Sequence, residues 1–189
     1  MKKLLLFSLL STLSVAKLFA GENPVSVKSG DISVLKTQSQ ALLEIDYSAA
    51  IVGEMTLEEY LQKRGDDWVR DWPKDKERGA YEFVKRFNKK SKGMKLITDA
   101  TDVTHKFVIR VADIDLGFGG GAALSAFTFA PAKTGGVTMI GTIEIIDLKT
   151  NEIVCVLDVD KVKGLANQRL AYRLGLMYYE LAGCIFKIK

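Results

Sequence analysis

The hydrophobic period of this chain switches from that of strands to that of helices, back to strands, and finally to helix. That alternation restricts it to folds in which helices lie on a sheet. Pro24 to Lys28 alternates, Ser29-Gly30-Asp31 turns, and Ile32 to Leu35 reads as a short strand. From Ala41 to Ala50, Leu43, Ile45 and Tyr47 oppose Glu44, Asp46 and Ser48, as in a strand buried on one side. Thr56-Leu57-Glu58-Glu59 has the form of a capping box, the threonine hydroxyl accepting from the Glu59 amide while the Glu59 carboxylate reaches back. Leu57, Tyr60 and Leu61 follow at helical spacing. Asp71-Trp72-Pro73 predicts a second helix start, because a proline in the first turn gives up no hydrogen bond. Ala80, Phe83, Val84 and Phe87 form its apolar stripe opposite Glu82, Lys85, Arg86 and Lys89, and Ser91-Lys92-Gly93 ends it.

Strands are expected at 95–98, 107–116, 137–148 and 152–159, the last two joined by a hairpin turn at Lys149-Thr150-Asn151. Leu165 to Ile185 returns to helix, with Leu170, Leu174, Met177, Leu181 and Ile185 three or four residues apart. The expected class is α+β: a mixed, mainly antiparallel sheet with two or three helices on it.

The amino terminus predicts export. Lys2 and Lys3 precede an apolar run from Leu4 to Val15, and Leu18-Phe19-Ala20 before Gly21 offers a cleavage site. This is the three-part pattern of a signal peptide, too short to span a bilayer comfortably. No cysteine stands at the cut to carry a lipid, and no later stretch reaches membrane-spanning length. Residues 1–20 are expected to be removed, leaving 21–189 as one domain, periplasmic or extracellular. Three of the 27 basic residues (Lys2, Lys3 and Lys17) would leave with the signal, so the net charge of +4 falls to 24 basic against 23 acidic. A near-neutral chain argues against a nucleic-acid surface. Cys155 and Cys184 each fit a buried apolar position, and the expectation is two free thiols rather than a disulfide.

Catalytic parts are scarce. His105 is the one histidine, and no Ser or Cys stands in a nucleophile motif beside which it could act. Asp113 with Asp115, and Asp158 with Asp160, pair carboxylates near strand ends, but neither continues into a loop that could wrap a hard cation. A hydrolase using two acids stays open, since sequence alone sets no separation between them. Trp68 and Trp72, four apart, form either an aromatic surface for a sugar or peptide or, more in keeping with helical spacing, part of the core. No catalytic, cofactor or metal residue is assigned, and no cofactor is expected.

The segment from Gly117 to Gly136 is long, nearly uncharged and rich in glycine. It lacks the G-K-[ST] of a phosphate loop, and no crossover helix with a ribose-binding acid follows it. Two readings stay open. Phe118, Gly119, Gly120, Gly121, Leu124, Phe127 and Phe129 form a loop that contacts a partner, or alternation through 123–130 makes a further strand.

The order of Asp113-Ile114-Asp115-Leu116, the glycine cluster, Ile143 to Val154 and a final amphipathic helix resembles bacterial envelope proteins. These are similar to the transport-auxiliary lipoproteins and to the TolB amino-terminal type of domain. The resemblance covers about residues 80–187 and rests on the pattern of elements. It implies a sheet with helices packed on it and an accessory or assembly role without catalysis, and it supplies no functional residues. The function expected is therefore a non-enzymatic exported domain that binds another envelope component, protein or lipid. The alternative is a periplasmic small-molecule or lipid carrier.

Overall fold

β-branched and aromatic residues at alternate positions build eight strands into one sheet, ordered β1-β8-β7-β6-β2-β5 with a β3–β4 hairpin beside β6. The strands are β1 (Val25–Gly30), β2 (Gln40–Asp46), β3 (Ile51–Val52), β4 (Met55–Thr56), β5 (Lys95–Ile97), β6 (His105–Asp115), β7 (Thr138–Asp147) and β8 (Glu152–Lys163). Among the described residues three α-helices accompany them: α1 (Leu57–Arg64), α2 (Asp66–Lys90) and α3 (Leu170–Ile185). The computed structural model describes residues 22–99, 102–117, 135–167 and 169–188. The expected signal sequence and the segment 118–134 lie outside them, and with the latter Phe118, Gly119, Gly120, Gly121, Leu124, Phe127 and Phe129.

The class is α+β, and the sheet is mixed and mainly antiparallel, as expected. β2 runs parallel to β5 and β6, while β6, β7, β8 and β1 alternate in direction. Register aligns Leu43 with Phe107 and Ile145, and Ile45 with Ile109, Ile143 and Leu157, on one face. α2 and α3 cover that face. The rings of Phe83 and Phe87 lie 5.8 and 5.5 Å from Phe107, and Phe186 lies 5.0 Å from Phe87. The other face carries ion pairs, Lys106 with Glu44 at 2.5 Å and Arg110 with Asp46 and Glu144 at 2.8 and 2.9 Å. The two helices meet closely at Gly79, where a Cβ would fall 2.7 Å from the Tyr178 ring.

Local signals account for most boundaries. The capping box at Thr56 and Glu59 forms in both directions. The last turn of α2 carries Lys89 and Lys90 against the negative end of the helix, and the helix stops at Ser91. The hairpin turn between β7 and β8 places Asn151 at φ 58°.

Three boundaries differ from the sequence reading. The break between α1 and α2 is not at Pro73 but at Gly65, whose φ of 106° only glycine adopts without strain. Pro73 stands inside α2, and the carbonyl it leaves unpaired belongs to Val69, an exposed residue, where water can take it. Ile32–Lys36 forms a 3-10 turn rather than a strand, because the Asp31 carboxylate accepts from Ser33 N at 2.8 Å and caps it. The last helix begins at Leu170, not Leu165. β8 meanwhile runs on to Lys163, and Gly164 lies against the backbone of Met177 at a distance no side chain would permit.

Cys155 and Cys184 are buried and unpaired, and burial pushes both thiols up. Thiol titration is expected to find no fast-reacting group in native protein and two after denaturation. A silent denatured sample would mean a disulfide instead.

Candidate functional site

The site is organised around Tyr47, the residue after β2. Ser48 N donates to the Asp46 carboxylate at 2.9 Å and Ala50 N to the Tyr47 carbonyl at 3.0 Å, so the chain turns there into the β3–β4 hairpin. That turn sends the Tyr47 ring under α2. It meets Trp72 edge-on at 5.2 Å, and its hydroxyl lies 2.6 Å from the Tyr178 hydroxyl on α3. Burial pushes both phenols up.

Two openings flank this ring. The larger, about 560 Å³, runs between β2 and α2 over Leu43, Ile45, Ala80, Tyr81 and Val84. The smaller, about 430 Å³, lies between the hairpin, α1 and α2 over Ala50, Leu57, Leu61, Val69 and Trp72.

The larger opening borders an unfinished strand edge. β2 pairs with β6 from Ala41 to Asp46, but with β5 only from Gln40 to Leu42. The N–H and C=O of one strand residue point to the same side, and the next residue's to the other. The Ser39 carbonyl accepts from Lys95 N on the β5 side at 2.8 Å, whereas the Gln40 carbonyl accepts from Thr104 N on the β6 side at 3.1 Å. The Leu42–Ile97 pairing takes up the Leu43 N–H, so the Leu43 carbonyl and the N–H and carbonyl of Ile45 turn to the β5 side where β5 has already ended.

Charge near the two openings is sparse: Lys76, Glu77 and Asp99 at the larger and Glu58 at the smaller. At the smaller opening Thr56 Oγ1 donates to the Glu59 carboxylate at 2.8 Å, a bond that belongs to the capping box of α1. Among the described residues no three His, Cys, Asp or Glu side chains converge to hold a metal.

No family model matches the sequence, and no curated protein gives a significant match. Similar solved structures include the PelC dodecamer from Paraburkholderia phytofirmans, 9% identical, with a TM-score of 0.44, covering 85% of this chain and 95% of that one. A substituted form of the same dodecamer covers the same shares at 9% identity and a TM-score of 0.42. At these values neither residue roles nor assembly carry over.

The residues singled out from sequence do not gather at Tyr47. His105 opens β6 beside Ala41, five residues of β2 away from Asp46, and is bonded to the Thr104 hydroxyl at 2.8 Å. Asp113 and Asp115 are exposed beyond a bulge in β6. Asp158 pairs with Lys28 at 3.6 Å, and Asp160 N is tied to the Pro24 carbonyl at 2.7 Å. Trp68 and Trp72 do not share an open face. Trp72 is 8% exposed and belongs to the core, whereas Trp68 packs on Tyr60 at 6.2 Å under the Arg64 guanidinium.

Arg173 is 2% exposed, although its place off the apolar stripe of the last helix predicts an exposed residue. Its Nη1 donates to the Asn167 carbonyl at 2.9 Å and its Nε to the Leu116 carbonyl at 3.3 Å, so it fastens the end of β6 to α3. Burial lowers its pKa, with Tyr60 and Asp75 opposing. Asp75 itself is pushed up by burial and by Asp71. An arginine facing away from a helix stripe carries no sequence signal of burial.

Proposed function

We propose that this chain is an exported, non-enzymatic accessory domain. It holds a segment of another envelope protein by adding it as an extended strand to the outer edge of β2. One observation carries the reading: the Leu43 carbonyl and the backbone of Ile45 face an edge where β5 has stopped, and that edge opens onto an apolar groove of about 560 Å³. Strand addition uses these two features together, main-chain bonds for affinity and a groove for alternate side chains. The resemblance to envelope accessory families supports the same reading. Crosslinking and capture from the native envelope, followed by identification of the bound segment as a synthetic peptide, tests it. Ala80→Glu, which puts a charge into the groove from a half-buried position, is expected to weaken that peptide at least tenfold. The amide of Ile45 is expected to gain exchange protection on binding. A peptide that binds without protecting Ile45 overturns strand addition.

A second reading rests on the smaller opening. Its volume of about 430 Å³ and its Trp72, Leu57 and Leu61 lining suit a small apolar molecule. Native mass spectrometry of protein taken from the envelope decides for this reading if a stoichiometric small adduct is found and lost in Trp72→Ala.

A further inference from the structure

The modest net charge of +4 hides a separation of charge. Three segments, 32–43, 83–98 and 181–188, contain no Asp or Glu. The fold brings all three to one end of the molecule. Met94 N donates to the Leu35 carbonyl at 3.1 Å, Lys95 N to the Ser39 carbonyl at 2.8 Å, and Gln38 Nε2 to the Lys92 carbonyl at 2.8 Å. The backbone of Gly93 lies directly on that of Lys36. The end of α3 joins them through Phe186, 5.0 Å from Phe87 in the last full turns of α2.

Lys36, Lys89, Lys90, Lys92 and Lys187 are all exposed at this pole. None of the five makes a side-chain hydrogen bond or ion pair among the described residues. The carboxylate closest in sequence, Asp31, accepts from Ser33 and feels the Lys36 charge, without forming an ion pair with it. The opposite end of α2 is acidic, with Asp66, Asp67, Asp71 and Asp75.

Helix electrostatics explains part of the pole. Lys89 and Lys90 suit the negative end of α2, and Lys95 Nζ caps the carbonyls of Asn88 and Ser91 at 2.9 and 2.6 Å. Lys36 stands in the last turn of the 3-10 segment and Lys187 just past the end of α3, so each also suits a helix end, but that local benefit does not account for these ends and Lys92 meeting at one pole. Among the described residues the five cations here that make no side-chain hydrogen bond or ion pair are all lysine. Arg86, the one arginine in these segments, is committed to the Tyr179 hydroxyl at 2.7 Å. Planar, forked guanidinium groups suit fixed carboxylates, whereas lysines on flexible stems act as point charges that need no set partner geometry.

We propose that this pole seats the domain on an anionic membrane surface, its lysines meeting a fluid layer of lipid phosphates. The charge is complementary, and the lack of a preformed pocket matches a surface whose charges rearrange. The inference does not depend on the strand-addition reading.

The test uses the chain from Gly21 onward, which keeps every strand and helix described above. Removing the Leu4 to Val15 run matters because it would enter lipid by itself. Sedimentation with vesicles of equal parts phosphatidylcholine and phosphatidylglycerol is expected to show binding that pure phosphatidylcholine does not. Binding should weaken as salt is raised. Lys36→Gln, Lys92→Gln and Lys187→Gln together are expected to lower the apparent affinity about a hundredfold, roughly fivefold per lysine. The corresponding arginine variant should retain it. Equal binding to both vesicles, no binding to the anionic ones at low salt, or an unaffected glutamine variant each overturns the proposal. Soluble polyglutamate bound more tightly than the vesicles would also overturn it, and would point to an acidic protein as the occupant. The salt response of the unaltered chain provides a test that needs no variant to fold.

Discussion

Phe83→Ala is expected to lower the unfolding free energy by about 3–5 kcal/mol, the range for removing a large aromatic ring from a core that cannot close the space. Phe83 is 0% exposed, and it is where three elements meet. Its ring lies 5.8 Å from Phe107 on β6, 6.3 Å from Tyr178 on α3 and 6.0 Å from Phe87 on its own helix. Collapse onto the site is hindered because Gly79, one turn earlier, already lets Tyr178 touch the α2 backbone. For a chain of this length the loss corresponds to about 6–20 °C in the thermal midpoint. Tyr81→Ala, two residues earlier but 55% exposed, is expected to cost under about 1 kcal/mol. Thermal melts of the two variants check this directly. Similar losses in both would mean that α2 presents a different face to the sheet.

The second large effect is alkaline. Burial raises the pKa of Tyr47, with its hydrogen bond to Tyr178 opposing, and burial together with Tyr47 raises that of Tyr178. The folded protein therefore keeps protons that the unfolded chain releases. The contribution of the pair is intact below the ordinary tyrosine pKa of about 10. Above it, stability falls by up to about 1.4 kcal/mol per pH unit for each tyrosine. Other groups titrate in the same range, so the decisive comparison is with Tyr47→Phe/Tyr178→Phe. Urea titrations across this range should show a flatter alkaline decline in the double variant than in the parent. At neutral pH, Tyr178→Phe alone is expected to cost about 1–3 kcal/mol, because it leaves the Tyr47 hydroxyl without its partner. Parallel pH curves for parent and double variant would place these hydroxyls in contact with solvent.

Most elements were legible because their causes are local. The two-residue alternation around Leu43 and Ile45, the Thr56–Glu59 capping box, the lysine-rich end of α2 and the turn at Asn151 each act within a few residues. The misread boundaries have causes outside that window. Ile32 to Leu35 has strand composition, but β1 ends at Gly30 against β8, and the Asp31 cap then favours a tight turn. Pro73 looked like a start because a proline usually costs a helix a bond, and only the exposure of that side of α2 makes it tolerable inside.

The candidate site was hidden for the same reason on a larger scale. Tyr47 and Tyr178 are separated by 131 positions, and nothing near either one announces the other. The groove exists because β5 stops at Ile97, opposite Leu42, while β2 goes on to Asp46 beside β6. The lysine pole was invisible in a count of 27 basic against 23 acidic residues, since its members come from three distant segments.

By itself the sequence determined the elements, the apolar side of each and the α+β class, because hydrophobic period, capping and turn chemistry act over one or two turns of chain. Only the tertiary structure decided which strand edge stays open, which arginine and tyrosines are buried, and which lysines stand together. Those outcomes depend on sheet order and strand length, which are set by the packing of α2 and α3 across residues far apart in sequence.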